Sequence, residues 1–145
     1  MKYDNYIALQ FPSCSVNEGF ARIAVAAFVA QLDPTLEELG DIKTAVSEAV
    51  TNAIVHAYPN EIGRISLKAK LVAGQLEIRI QDWGRGIEDV EQAKEPLFTT
   101  GGEERSGMGF TIMDSFMDGL AVKSRPGKGT TVILRKRIVP RTGKK

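Results

Sequence analysis

Two alternating runs, RISLKAKL (64–71) and QLEIRIQDW (75–83), stand on either side of Ala73-Gly74. Apolar residues at every second position put one face of a strand against a core. Two such strands joined across a glycine turn form an antiparallel hairpin. A sheet that is apolar on one face is stable only when another layer covers that face. The remaining chain supplies the cover: residues 15–32 and 35–57 read as helices. The first has Ser15 and Glu18 at the spacing of a capping box, and Pro59-Asn60 closes the second. YIALQF (6–11) reads as a further strand at a sheet edge. FTIMDSFM, beginning just after Gly109, reads as a third helix, and strands near 120–124 and 130–138 finish the order. The expected architecture is α/β, a two-layer sandwich with a mixed, mostly antiparallel sheet and helices on one face.

A chain of 145 residues fits one domain. It is expected to span 1–138, with the basic end 139–145 as a flexible tail. With 19 Lys and Arg against 18 Asp and Glu, the net charge is +1. Such a balance gives no whole-chain field directed at nucleic acid or membrane. The single cysteine, Cys14, excludes an intramolecular disulfide and Cys-type metal clusters, and fits a reducing cytoplasmic setting. No apolar run approaches the ~18–20 residues that span a bilayer, and MKYDNYIALQ lacks the apolar core of a secretory signal.

Within SEAVTNAIVHAY (47–58), Glu48, Asn52 and His56 recur every fourth residue. They are offset by only ~40° around a helix axis and so form one polar stripe beside the apolar row Ile42, Ala45, Val46, Ala49 and Ala53. Such a stripe can face water. It can equally edge a pocket, with the amide of Asn52 on Mg²⁺, a cation that takes hard oxygen ligands and only one or two of them from protein. The helix alone leaves both open, and His56 by itself is read as a hydrogen-bonding residue near the helix end.

Asp82 continues the row Leu76, Ile78, Ile80, so it points toward the core and needs donors to offset its desolvation; an adenine amine is one such donor. Gly84 and Gly86 follow, as befits either an ordinary turn or a chain that approaches a ligand closely. In RSGMGF (105–110), Gly107 and Gly109 stand at a helix start, where free N–H groups and the helix dipole favour phosphate. Arg105 could add a charge-assisted contact to a terminal phosphate. In GKGTTVIL (127–134), Thr130 shares the phase of Val132 and Leu134, which suits a plain strand as well as a hydroxyl directed at the site of Asp82.

No P-loop pattern and no protein-kinase H-R-D or D-F-G set is present. The series E-x-x-x-N-x-x-x-H, D-x-G-x-G, G-x-G and G-T-T, from about residue 38 to 134, instead resembles the Bergerat ATP-binding fold of gyrase-type ATPases, histidine kinases and MutL-type proteins. FARIAVAAFVAQLDPT, DIKTAVSEAVTNAIVHAY and PLFTTGGEERSGMGFTIMDSFMD narrow the similarity to the bacterial anti-sigma F factors, serine-protein kinases of sporulation. The resemblance implies Mg-ATP binding, inhibition of a sigma factor, phosphorylation of an anti-anti-sigma protein on serine, and a homodimer. It implies Glu48 as catalytic base and Asn52 as Mg²⁺ ligand. Asp82 would bind adenine with support from Gly86 and Thr130, Gly107 and Gly109 would line the triphosphate, and Arg105 would reach the γ-phosphate. Gly84, Thr99 and Met108 complete the implied nucleotide set. Where relatives carry Lys-Pro after PLFTT, this chain has Gly101-Gly102.

The helix GFARIAVAAFVAQL (19–32) is apolar nearly all round, so part of it seeks cover beyond the sheet. Arg22 in its middle is either a partner contact or a snorkelling surface cation. Two alternatives to the kinase reading are an ATP-binding module without turnover and a histidine-kinase catalytic domain. The second is poor, since the only histidine, His56, already belongs to the asparagine motif.

Overall fold

The computed structural model describes residues 4–90 and 109–138. Among them run strands β1 (Asn5–Pro12), β2 (Arg64–Val72), β3 (Gln75–Asp82), β4 (Gly119–Arg125) and β5 (Gly129–Arg137). They form one sheet in the order β1-β2-β3-β5-β4, every ladder antiparallel. The mixed sheet expected from sequence is thus antiparallel throughout the described strands, and β1 is an edge strand as expected.

The hairpin of β2 and β3 closes with Val72 opposite Gln75, and both turn residues take positive φ, 52° at Ala73 and 80° at Gly74. This is the turn geometry whose twist matches that of the strands. Alanine is disfavoured there by about 1–2 kcal/mol, and Asp4 offsets part of it by accepting the Ala73 N–H at 2.8 Å. Alternation then fixes the faces: Ile65, Leu67, Ala69 and Leu71 on β2, with Leu76, Ile78 and Ile80 on β3, are buried.

Three helices cover that face. Helix α2 (Leu36–Asn52) packs between α1 (Val16–Val29) and α3 (Gly109–Phe116). The Ser15–Glu18 capping box expected for α1 is not formed. Ser15 already has helical dihedrals, and the Glu18 carboxylate instead accepts the Ser47 hydroxyl of α2 and pairs with Arg22 at 3.5 Å. A capping box does start α2: Glu38 N–H donates to Thr35 Oγ1 at 3.0 Å, and Thr35 N–H donates to Glu38 Oε1 at 2.8 Å. Two helix ends also differ from expectation. After Val29 the first tightens to a 3₁₀ turn, Ala30–Leu32, and after Asn52 the second widens to a π turn, Ala53–Ala57. The C-terminal end of α3 is pinned by Lys136, whose ammonium donates to the Phe116 carbonyl at 2.8 Å.

Candidate functional site

Asp82 is the last residue of β3 and is 6% exposed, at the end of the buried row where alternation places it. Its Oδ1 accepts the N–H of Gly84 at 3.0 Å and that of Thr130 at 3.1 Å. Burial raises its pKa above the ordinary aspartate range, and these two N–H groups only partly counter the shift. Among the described residues Oδ2 accepts no hydrogen bond, so this nearly buried carboxylate keeps an oxygen for an outside donor. Register sets Thr130 opposite Asp82, and the Thr130 hydroxyl lies 2.7 Å from Ser124 Oγ. The Ser124 hydroxyl oxygen also accepts the Ile87 N–H at 2.8 Å, fastening the segment after β3 to β4.

Neither glycine of DWGRG could be exchanged freely. A Cβ on Gly84 would overlap the carbonyl oxygen of Ala57. Gly86 has φ 79°, and a Cβ there would overlap the carbonyl oxygen of Arg125. Gly84 therefore lets the segment press on the end of the second helix, and Gly86 lets it cross the β4–β5 turn.

Glu48 and Asn52 are half-buried on α2, facing neither open water nor the apolar core. The first residue of α3, Gly109, sits on them. A Cβ at 109 would lie 3.3 Å from Asn52 Nδ2 and 3.3 Å from Glu48 Oε1. The helix start expected to hold phosphate thus adjoins the carboxylate and the amide. A single amide oxygen from protein, that of Asn52, suits a magnesium ion that brings phosphate oxygens with it, not a dedicated protein cage. No cluster of three or more His, Cys, Asp or Glu occurs among the described residues.

What joins the two halves was not legible in sequence. The π turn carries the chain from Asn52 to Ala57, whose carbonyl accepts the Arg85 N–H at 3.1 Å. The next residue, Tyr58, is buried, and its hydroxyl donates to the Arg64 carbonyl at 2.7 Å while accepting the Trp83 N–H at 2.7 Å. Asn52 and Asp82 are therefore held by one set of contacts at the junction of helix and sheet. No spacing rule marks such a tyrosine, because its partners are 6 and 25 residues away.

Arg22 lies outside this arrangement, on α1, paired with Glu18. Its Nε is buried with no hydrogen-bond partner among the described residues. Thr99, Gly101, Gly102, Arg105, Gly107 and Met108 fall outside the described residues.

Residues 15–136 match the histidine kinase-like ATPase domain family. The anti-sigma F factor of Caldanaerobacter subterraneus is 60% identical over 139 residues, 95% of this chain and 97% of the relative. That of Clostridium botulinum strain Eklund 17B is 55% identical over 138 residues, 94% and 96% of the two chains. Among solved structures, the RsbU and RsbW domains of a Mycobacterium tuberculosis protein share the fold, with a TM-score of 0.69 and 20% identity over 92% of this chain and 32% of that one. The chain belongs to the anti-sigma F factor family, built on a histidine kinase-like ATPase domain.

Proposed function

We propose that this protein is a Mg-ATP-dependent protein-serine kinase that also holds a sporulation sigma factor inactive, with an anti-anti-sigma protein as its phosphorylation substrate. The observation that carries the nucleotide part is Asp82, nearly buried and with Oδ2 accepting nothing from the described residues, tied through the Ala57–Gly84 contact to the helix of Glu48 and Asn52. Asp82 Oδ2 accepts the exocyclic amine of adenine, and the Thr130–Ser124 pair, with Gly84 and Gly86, shapes the floor. Asn52 offers its amide oxygen to Mg²⁺. When bound, that ion offsets negative charge on the phosphate oxygens. Gly109, with Gly107 and Met108, presents backbone N–H groups to the triphosphate, and Arg105 and Thr99 complete its surroundings.

In the reaction the serine oxygen of the partner bonds to the γ-phosphorus while the bond to the β–γ bridging oxygen breaks and ADP departs. Glu48 takes the serine proton. Positioning and charge stabilisation supply most of the acceleration in phosphoryl transfer, and general-base help adds about 10²–10⁴. The names of the relatives support a sigma factor as partner. The edge strand β1 and the exposed Val16, Phe20 and Ile23 of α1 support a homodimer or a partner surface that includes Arg22. A cytoplasmic location follows from that role.

The test is incubation of the purified chain with γ-labelled ATP, Mg²⁺ and an anti-anti-sigma protein. Label on a partner serine is the expected result. ATP that stays bound and intact, with no label transferred, would leave a nucleotide-binding module and remove the kinase.

A further inference from the structure

The face of the sheet turned away from the helices carries charge of nearly one sign. By strand alternation, Arg64, Lys68 and Lys70 of β2 and Arg79 of β3 project from it. Strand β5 adds Arg135 and Arg137, and β4 adds Lys123 and Arg125. Within the strands, Glu77 is the one carboxylate on this face. It is shared by Arg135 Nε at 3.0 Å, Arg79 Nε at 3.2 Å and Lys70 Nζ at 3.7 Å. The whole chain is close to neutral, so gathering cations here leaves the acids to the helical side and the loops.

Pairing with Glu77 accounts for Lys70, Arg79 and Arg135 but not for Lys68. Register places Lys68 directly opposite Arg79, a like-charge cross-strand pair that works against the sheet. Lysine on an edge strand can prevent unwanted pairing, but β2 and β3 are interior strands. The row that crosses the face at this pair runs Ala8, Lys68, Arg79, Ile133, Ala121, with small alanines on the two edge strands and Ile133, which points outward yet is 2% exposed, between Arg79 and Ala121.

We propose that this face docks an acidic protein surface, whose carboxylates pair across Lys68 and Arg79. Nucleic acid fits it less well. Sheets that read single strands offer central aromatic rings for bases to stack on. Here the outward aromatics lie at the margins, Tyr6 on β1 and Trp83 beyond β3, and the Trp83 ring is already covered by the Arg64 guanidinium at 3.8 Å from its centroid. Among the described residues no element projects from the face to enter a groove. Asp82 and Thr130 point to the opposite, helical side, so this inference stands or falls separately from the ATP site.

Fluorescence anisotropy of the full chain with a labelled oligoglutamate, and with an oligothymidylate of equal charge, tests the idea at low and at physiological salt. The wild-type chain should bind oligoglutamate more tightly than oligothymidylate, and more weakly as salt rises. The double variant Lys68→Gln/Arg79→Gln should lose roughly tenfold in oligoglutamate affinity, the combined effect of two exposed charge pairs. Lys43→Gln on α2 should change nothing. The double variant removes a repulsive pair together with the exposed Arg79–Glu77 ion pair, which is worth under about 1 kcal/mol, so it should melt within a few degrees of wild type and bind ATP equally well. Unchanged oligoglutamate binding in the double variant, or preference for oligothymidylate, would overturn the proposal. A fall in melting temperature well beyond the loss of one exposed ion pair would return the two cations to the fold and overturn it as well.

Discussion

Replacing Tyr58 by Phe removes one oxygen and leaves the ring in place against Gly63, a position with no room for a Cβ beside that ring. Two backbone groups lose their partner, the Arg64 carbonyl and the Trp83 N–H, each now bonded at 2.7 Å. A typical hydrogen bond contributes about 1 kcal/mol net, and a buried group left unpaired costs about 1–3 kcal/mol. The site is part-buried, so the two losses together should cost about 2–3 kcal/mol. In a domain of this length that corresponds to a fall of roughly 5–10 °C in melting temperature. Trp83 is the only tryptophan, so urea unfolding followed by its fluorescence reads the effect at the perturbed residue. The hydroxyl ties the region of Asp82 to the helix end beyond Asn52, so ATP affinity should also fall several-fold while Phe preserves the packing. A stability loss below about 0.5 kcal/mol, with unchanged ATP affinity, would refute the view that this hydroxyl holds the two halves together.

Glu48→Gln should abolish phosphorylation of the partner while ATP binding persists; transfer at the parent rate would remove Glu48 as base. Asp82→Asn should weaken ATP binding by at least tenfold, measured by calorimetry, because the amide oxygen stays with the Gly84 and Thr130 N–H groups and an NH₂ donor then faces the adenine amine. It should also change the pH dependence of the ligand-free chain. Burial raises the Asp82 pKa, so its stabilising contribution is complete below the usual aspartate range and is lost as pH rises through the folded value. Denaturation midpoints of the Asn variant should lack that decline. Gly86→Ala meets both a positive φ of 79° and the Arg125 carbonyl, and should destabilise by more than about 2 kcal/mol in the same urea assay.

Much of the site could be read from residue order because it follows periodicity. The alternation that buries Leu76, Ile78 and Ile80 carries straight on to Asp82, and the same phase in β5 delivers Thr130 to it. The four-residue repeat likewise puts Glu48 and Asn52 beneath Gly109. Features that depend on backbone dihedrals or on distant partners were hidden. Ser15 and Glu18 have capping-box spacing, yet Ser15 is already helical, while Thr35 and Glu38, with the same spacing, form the box because Thr35 is extended. The π turn after Asn52 has no spacing signature, and its role becomes visible only where Ala57 meets Gly84 and Arg85. Lys68 opposite Arg79 was equally invisible, because a cross-strand neighbour exists only once register is fixed.

A crystal structure of the chain with Mg²⁺ and a non-hydrolysable ATP analogue tests the central claim most directly. The account predicts the adenine amine within hydrogen-bond distance of Asp82 Oδ2, Mg²⁺ on Asn52 Oδ1, and the triphosphate against the start of α3. Adenine bound elsewhere, or a metal with no contact to Asn52, would contradict it.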